Sequence, residues 1–131
     1  MIISEALGRF LIANSSIKAI TSEIRPQVLP DDAQYPAITY AQEQDGRIDV
    51  IDGGVSQLAA ASFVVNIYAD SYSSARTLAN IVRSELGGYV GTMGTLSIRR
   101  SDCDVDFDRY ENGQKQHSVS QTYTIWYYYE A

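Results

Sequence analysis

The sequence predicts an α+β domain: a mainly antiparallel sheet with two helices packed on one face. Three observations lead there. Two segments carry apolar residues at helical spacing, several runs between and after them alternate as strands do, and 131 residues suit one hydrophobic core and not two. The order helix, strands, helix, strands favours α+β over a parallel α/β sheet. Residues 1–131 are read as a single domain without internal repeats or low-complexity tails.

Ile3, Leu7, Phe10 and Leu11 form one apolar stripe with Glu5 and Arg9 off it, which predicts a helix over residues 3–13. Asn14-Ser15-Ser16 should end it in a turn. Residues 23–29 look extended, but Pro26 has no ladder donor, so this strand belongs at an edge or is irregular. A loop, Pro30 to Pro36, leads into a strand over 37–41. Residues 43–57 hold four acids and three glycines between two good strands, as in a long hairpin whose tip leaves the core. Its Ile48, Val50 and Ile51 either extend those strands or form an exposed contact. Residues 58–69 make the central strand, with Phe63, Val65 and Ile67 on one face. Asp70 or Ser71 caps a second helix, where Ala75, Leu78, Ala79, Val82 and Leu86 share a face until Gly87-Gly88 stops it.

Leu96 and Ile98 begin a further strand. From Cys103 onward the apolar residues are Cys103, Val105 and Phe107, so the facing must switch, and a bulge is expected near Arg99–Ser101. The last strand spans about 117–130, its apolar face being Val119, Tyr123, Ile125, Tyr127 and Tyr129. A two-residue Asn112-Gly113 turn would set aspartates opposite that face. A three-residue loop, Glu111-Asn112-Gly113, pairs Val105 with Val119 and leaves the acids opposite Ser118, Ser120 and Thr122; it is the preferred register.

Composition excludes several classes. A lone Cys103 makes no internal disulfide, and with only His117 beside it the chain offers no Cys/His zinc cluster. A net charge of −6, with Arg99-Arg100 as the only adjacent basic pair, argues against binding built on phosphate neutralisation. No apolar run approaches a membrane span, and the N-terminal segment lacks the pattern of a signal peptide. Phosphate-cradling and acyl-transfer motifs are missing. Asp102, Asp104, Asp106 and Asp108 have the alternation of a calcium loop, but the Gly and the bidentate Glu such a loop needs fall on other residue types. At a strand's period the four carboxylates would point one way, as an acidic strip. No catalytic, cofactor or metal residues are therefore expected. Ten tyrosines lean toward protein contacts, although strands also favour them.

The segment Val28-Leu29-Pro30-Asp31-Asp32-Ala33-Gln34-Tyr35-Pro36-Ala37-Ile38-Thr39-Tyr40, the strand Phe63 to Ala69 running through Asp70-Ser71-Tyr72 into a helix, and the closing Tyr123-Thr124-Ile125-Trp126-Tyr127 together resemble the tail-terminator or tail-completion proteins of tailed bacteriophages. The resemblance spans most of the chain and rests on order and composition. It implies a structural virion protein, assembled in the host cytoplasm, that forms a hexameric ring on the head-proximal end of the tail tube. There it stops tube polymerisation and joins the head connector. It implies no catalytic residue. On this reading the hairpin residues Arg47, Ile48, Val50 and Ile51 would meet an axial partner, and the strip Asp102, Asp104, Asp106 and Asp108 would suit a lumen that passes DNA, or would face bulk solvent. The rivals are another neck component, such as a head-completion or stopper protein, and a small ferredoxin-like ligand-binding or enzymatic domain with His117 in a pocket.

Overall fold

The computed structural model describes residues 2–47, 58–111 and 116–128. Helix α1 (Ile3–Ala13) buries Ile3, Ala6, Leu7 and Leu11, while Glu5 and Arg9 pair at 3.0 Å on its outer side. Asn14 leaves the helical conformation and ends α1. Its side chain then accepts from the backbone N–H groups of Ser16 and Ile17 at 3.0 and 3.2 Å, which opens the one-turn helix α2 (Ser15–Lys18). The predicted turn is thus itself a short helix, and it buries Ile17.

One six-stranded sheet carries the rest, in the order β1-β2-β3-β6-β5-β4. Strand β1 (Ile24–Pro26) lies at an edge, as Pro26 requires, and runs parallel to β2 (Ala37–Arg47); the other pairings are antiparallel. Strands β2 and β3 (Leu58–Ala69) pair from Ala37↔Tyr68 to Arg47↔Ala59, so the first strand runs six residues past its predicted end, beyond a bulge between Gln42 and Gln44. The rest of the predicted hairpin, including Ile48, Val50 and Ile51, lies outside the described residues. In β3, burial alternates along the whole strand, with Ala59, Ala61, Phe63, Val65, Ile67 and Ala69 inward.

Ser71 caps α3 (Tyr72–Leu86) by accepting from the Ser74 N–H at 3.2 Å, and Ala75, Leu78, Ala79, Val82 and Leu86 cover the sheet centre. Gly87 and Gly88 (φ 77°) follow it; Gly88 donates to the Ser101 carbonyl at 2.6 Å. A short β4 (Gly91–Met93), not expected from the sequence, pairs with the start of β5 (Leu96–Glu111). Beyond Ile98 no described strand lies along the outer edge of β5. Both long helices share one face of the sheet: the Gln121 side chain donates to the Ala79 carbonyl of α3 at 2.9 Å, and Gly8 of α1 sits against the ring of Tyr40.

The pairing of β5 with β6 (Gln116–Tyr128) departs from the predicted register. Glu111, which a three-residue loop would place in the turn, instead pairs with Gln116, and Val105 faces Thr122 instead of Val119. The expected bulge is present between Ile98 and Arg100, and a second one separates Cys103 from Val105. Each inserts one residue and reverses the facing beyond it. Ile98, Ser101 and Cys103 therefore lie on the helix side opposite Tyr127, Ile125 and Tyr123, and after the second bulge Asp106 and Asp108, not Val105 and Phe107, take that side.

Candidate assembly surface

The second bulge divides the four aspartates, so the single acidic strip expected from their spacing does not exist. Asp102 and Asp104 lie on the side of the sheet away from the helices, where Asp102 accepts from Arg100 at 2.8 Å and Asp104 from the Thr124 hydroxyl at 2.5 Å. Asp106 and Asp108 meet the polar side of α3. Arg76 donates to both oxygens of Asp106 at 2.7 and 2.8 Å and to Asp108 at 2.7 Å; Arg83 approaches Asp106 at 3.6 Å, and Gln121 donates to it at 3.0 Å. An acid opposite the apolar face is tolerated because its lone pairs are filled by a guanidinium and an amide. The hydrogen bond to Asp106, reinforced by Asp108, pushes the Arg76 pKa further up, so the guanidinium is charged throughout. The Tyr72 hydroxyl donates to Asp108 at 3.0 Å, and that bond, ahead of the carboxylate's charge, raises its pKa. Gln121 completes the array by accepting from the buried Tyr123 hydroxyl at 2.7 Å. This is a cross-link between helix and sheet, with its groups engaged by one another.

His117 lies at the β6 end, 4.7 Å from the Tyr110 ring and 6.4 Å from that of Tyr72. Its neighbours are aromatic, and neither concavity described below includes it. Among the described residues no three His, Cys, Asp or Glu side chains come together to hold a metal, and no helix is long and apolar enough to cross a membrane. Burial pushes the Cys103 thiol up from its ordinary range, which leaves it a poor nucleophile.

The opposite face of the sheet has no helix on it among the described residues. It presents Val64, Tyr68, Thr122, Thr124 and Trp126 half-buried, with Val105, Phe107 and Tyr128 at 48%, 46% and 42% exposure. Two strand residues expected in the core are thus turned outward, beside aromatic side chains, on a flat pleated surface. Exposed apolar and aromatic side chains on one sheet face favour contact with another macromolecule. Of the tyrosines, Tyr123 and Tyr127 are core, while Tyr35, Tyr72, Tyr110 and Tyr128 are more than two-fifths exposed.

At one end of this face Leu58, Arg99, Arg100 and Trp126 line a notch of about 350 Å³. The Arg100 guanidinium lies 5.8 Å from the Trp126 ring centre, and the indole N–H has no acceptor among the described residues. A second concavity, between α1 and β4, is lined by Arg9, Phe10, Asn14 and Met93. Sequence reasoning missed the uncovered face, because Val105 and Phe107 look like core until the second bulge is known. Arg99-Arg100 was visible as a basic pair, without its tryptophan.

A family model, "Tail completion protein gp17", matches residues 5–128. No curated protein sequence matches the chain. Among solved structures, a chain of the virion of a native gene transfer agent particle shares the fold, with a TM-score of 0.67 at 12% identity over 95% of this chain and 94% of that one.

Proposed function

The chain belongs to the tail completion protein gp17 family, and from that premise we propose that it is a structural, non-catalytic component of a virion tail that forms a ring on the head-proximal end of the tail tube. There it ends tube growth and offers the surface to which the head connector joins. The observation that supports this reading is a sheet face on which no described helix lies, with Val105, Phe107 and Tyr128 exposed. A protein acting alone gains nothing by presenting that surface to water; a protein built into a particle covers it. The hairpin residues Arg47, Ile48, Val50 and Ile51 are proposed to reach an axial partner, tube or connector. A hexameric ring is the symmetry this role favours.

A tube end offers every incoming subunit the same heterologous contact, so growth has no intrinsic stop until a different protein occupies it. Electron microscopy of lysates from a strain lacking this gene therefore tests the role. The expected result is tails of abnormal and widely varying length that carry no heads. Tails of sharp, normal length that fail to join filled heads would reject termination and assign the chain to the neck as a stopper.

A further inference from the structure

Most carboxylates among the described residues are engaged within the domain; Asp31, Asp32, Glu43 and Asp70 are the exceptions. Glu5, Glu23, Asp102, Asp104, Asp106 and Asp108 each engage a cation or hydroxyl, and Asp45 accepts from Tyr127 at 2.8 Å. The only two adjacent carboxylates left without a side-chain partner among the described residues are Asp31 and Asp32. They sit on the loop between β1 and β2, flanked by Val28 at 75% and Tyr35 at 42% exposure. The loop is held in shape by the Ala33 N–H donating to the Pro30 carbonyl at 3.1 Å and the Gln34 amide donating to that of Asp32 at 3.4 Å. Arg99 is correspondingly an exposed guanidinium with no side-chain partner among the described residues, in the notch with Trp126 and Leu58.

The strand register fixes how far apart these features are. The loop enters the sheet at Ala37, opposite Tyr68 near the end of β3, whereas Leu58 and Tyr128 pair at its start. Acidic knob and basic notch thus stand at opposite ends of β3, roughly 35 Å apart at the rise of an extended strand. They cannot meet within one copy.

We propose that the Arg99–Trp126 notch of one copy receives the Asp31-Asp32 loop of the next, a head-to-tail contact that repeats around the ring. The chemistries match: Arg99 pairs with the carboxylates, and Val28 or Tyr35 covers the apolar wall made by Trp126 and Leu58. A patch and its complement at separate places on the same molecule make a heterologous contact, which closes rings when the rotation allows. The inference rests on the ring reading and specifies one of its contacts.

Sedimentation velocity of the purified full chain tests it, using Arg99→Glu, Asp31→Lys with Asp32→Lys, and all three changes together. All lie on exposed side chains, so the folded monomer should persist, which circular dichroism checks. The wild type should form species larger than a dimer. Each reversal should weaken association roughly tenfold or more, and the combination should restore it, since the pair is then reversed on both sides. Reversals without effect, a wild type that stays monomeric, or one that stops at a dimer would overturn the contact. So would binding of a DNA oligonucleotide that Arg99→Glu abolishes while self-association is untouched, which would assign the notch to a phosphate backbone. None of these failures touches the terminator role, which the tail lengths decide separately.

Discussion

Replacing Arg76 by alanine should be the most damaging single change at a residue that still reaches solvent. The Arg76 side chain is 25% exposed and binds Asp106, 8% exposed, and Asp108, 45% exposed. The half-exposed pair with Asp108 contributes about 0.5 kcal/mol. The pair with Asp106 is of another kind, because removing the cation leaves a nearly buried carboxylate held only by Gln121 at 3.0 Å and by Arg83 at 3.6 Å. Stranding a buried charge costs about 3–5 kcal/mol when nothing replaces its partner. With those two donors remaining, a net loss of about 2 kcal/mol is expected, or about 6–10 °C in Tm for a domain of this size. Urea denaturation with an unchanged m-value is the assay, and Asp108→Asn, expected to lose no more than about 0.5 kcal/mol, is the control. If Arg76→Ala proved no more harmful than Asp108→Asn, the array would be ornament to the fold and the account of why acids are tolerated on that face would be wrong.

A methyl at Gly8 would lie 2.9 Å from Tyr40 Cζ and closer still to Oη, so Gly8→Ala should destabilise by about 1 kcal/mol despite its better helix propensity, and Tyr40→Leu in the same chain should recover part of that loss. Val105→Ser with Phe107→Ser should leave the urea midpoint within about 0.5 kcal/mol of wild type yet abolish head joining in complementation of the deleted strain. Burial raises the Tyr123 pKa above its ordinary 10.0, so the unfolded chain ionises first; stability should hold below pH 10 and fall as pH rises beyond it, and a flat profile to pH 11.5 in chemical melts would contradict the buried hydroxyl. Calcium or a chelator should leave Tm unchanged, because the aspartates lie on opposite faces of one strand; a saturable rise would show a site that this geometry denies.

Legibility in the sequence followed the strength of local signals. Helix α1 begins and ends at the predicted residues because its stripe and Asn14 act within one turn, and Ser71 caps α3 for the same reason. Strand β3 was read to its ends because both neighbours fix its alternation. Failure came where one inserted residue changes everything after it. The first bulge of β5 left a trace, a change of apolar parity at Arg99–Ser101. The second left none, because Asp104 continues the alternation of acids while the backbone reverses it. The preferred loop followed from keeping acids off the apolar face, a sound rule that here yields to Arg76, an arginine thirty residues earlier in the chain. The family was legible early, since it resides in the order of whole elements; the assembly surface was not, since it depends on parity.

The irregular β5 also bears on how such a protein survives its own abundance. Beyond Ile98 its outer edge has no strand beside it among the described residues, the kind of edge to which an extended peptide adds as a further strand. Identical copies gathered at one site during particle assembly are the circumstance in which such an edge seeds cross-β stacking. Two bulges bend the template out of flatness, and acids at Asp102, Asp104 and Asp108 line it. The same insertions that turned Phe107 outward therefore also make this edge a poor template for fibre formation.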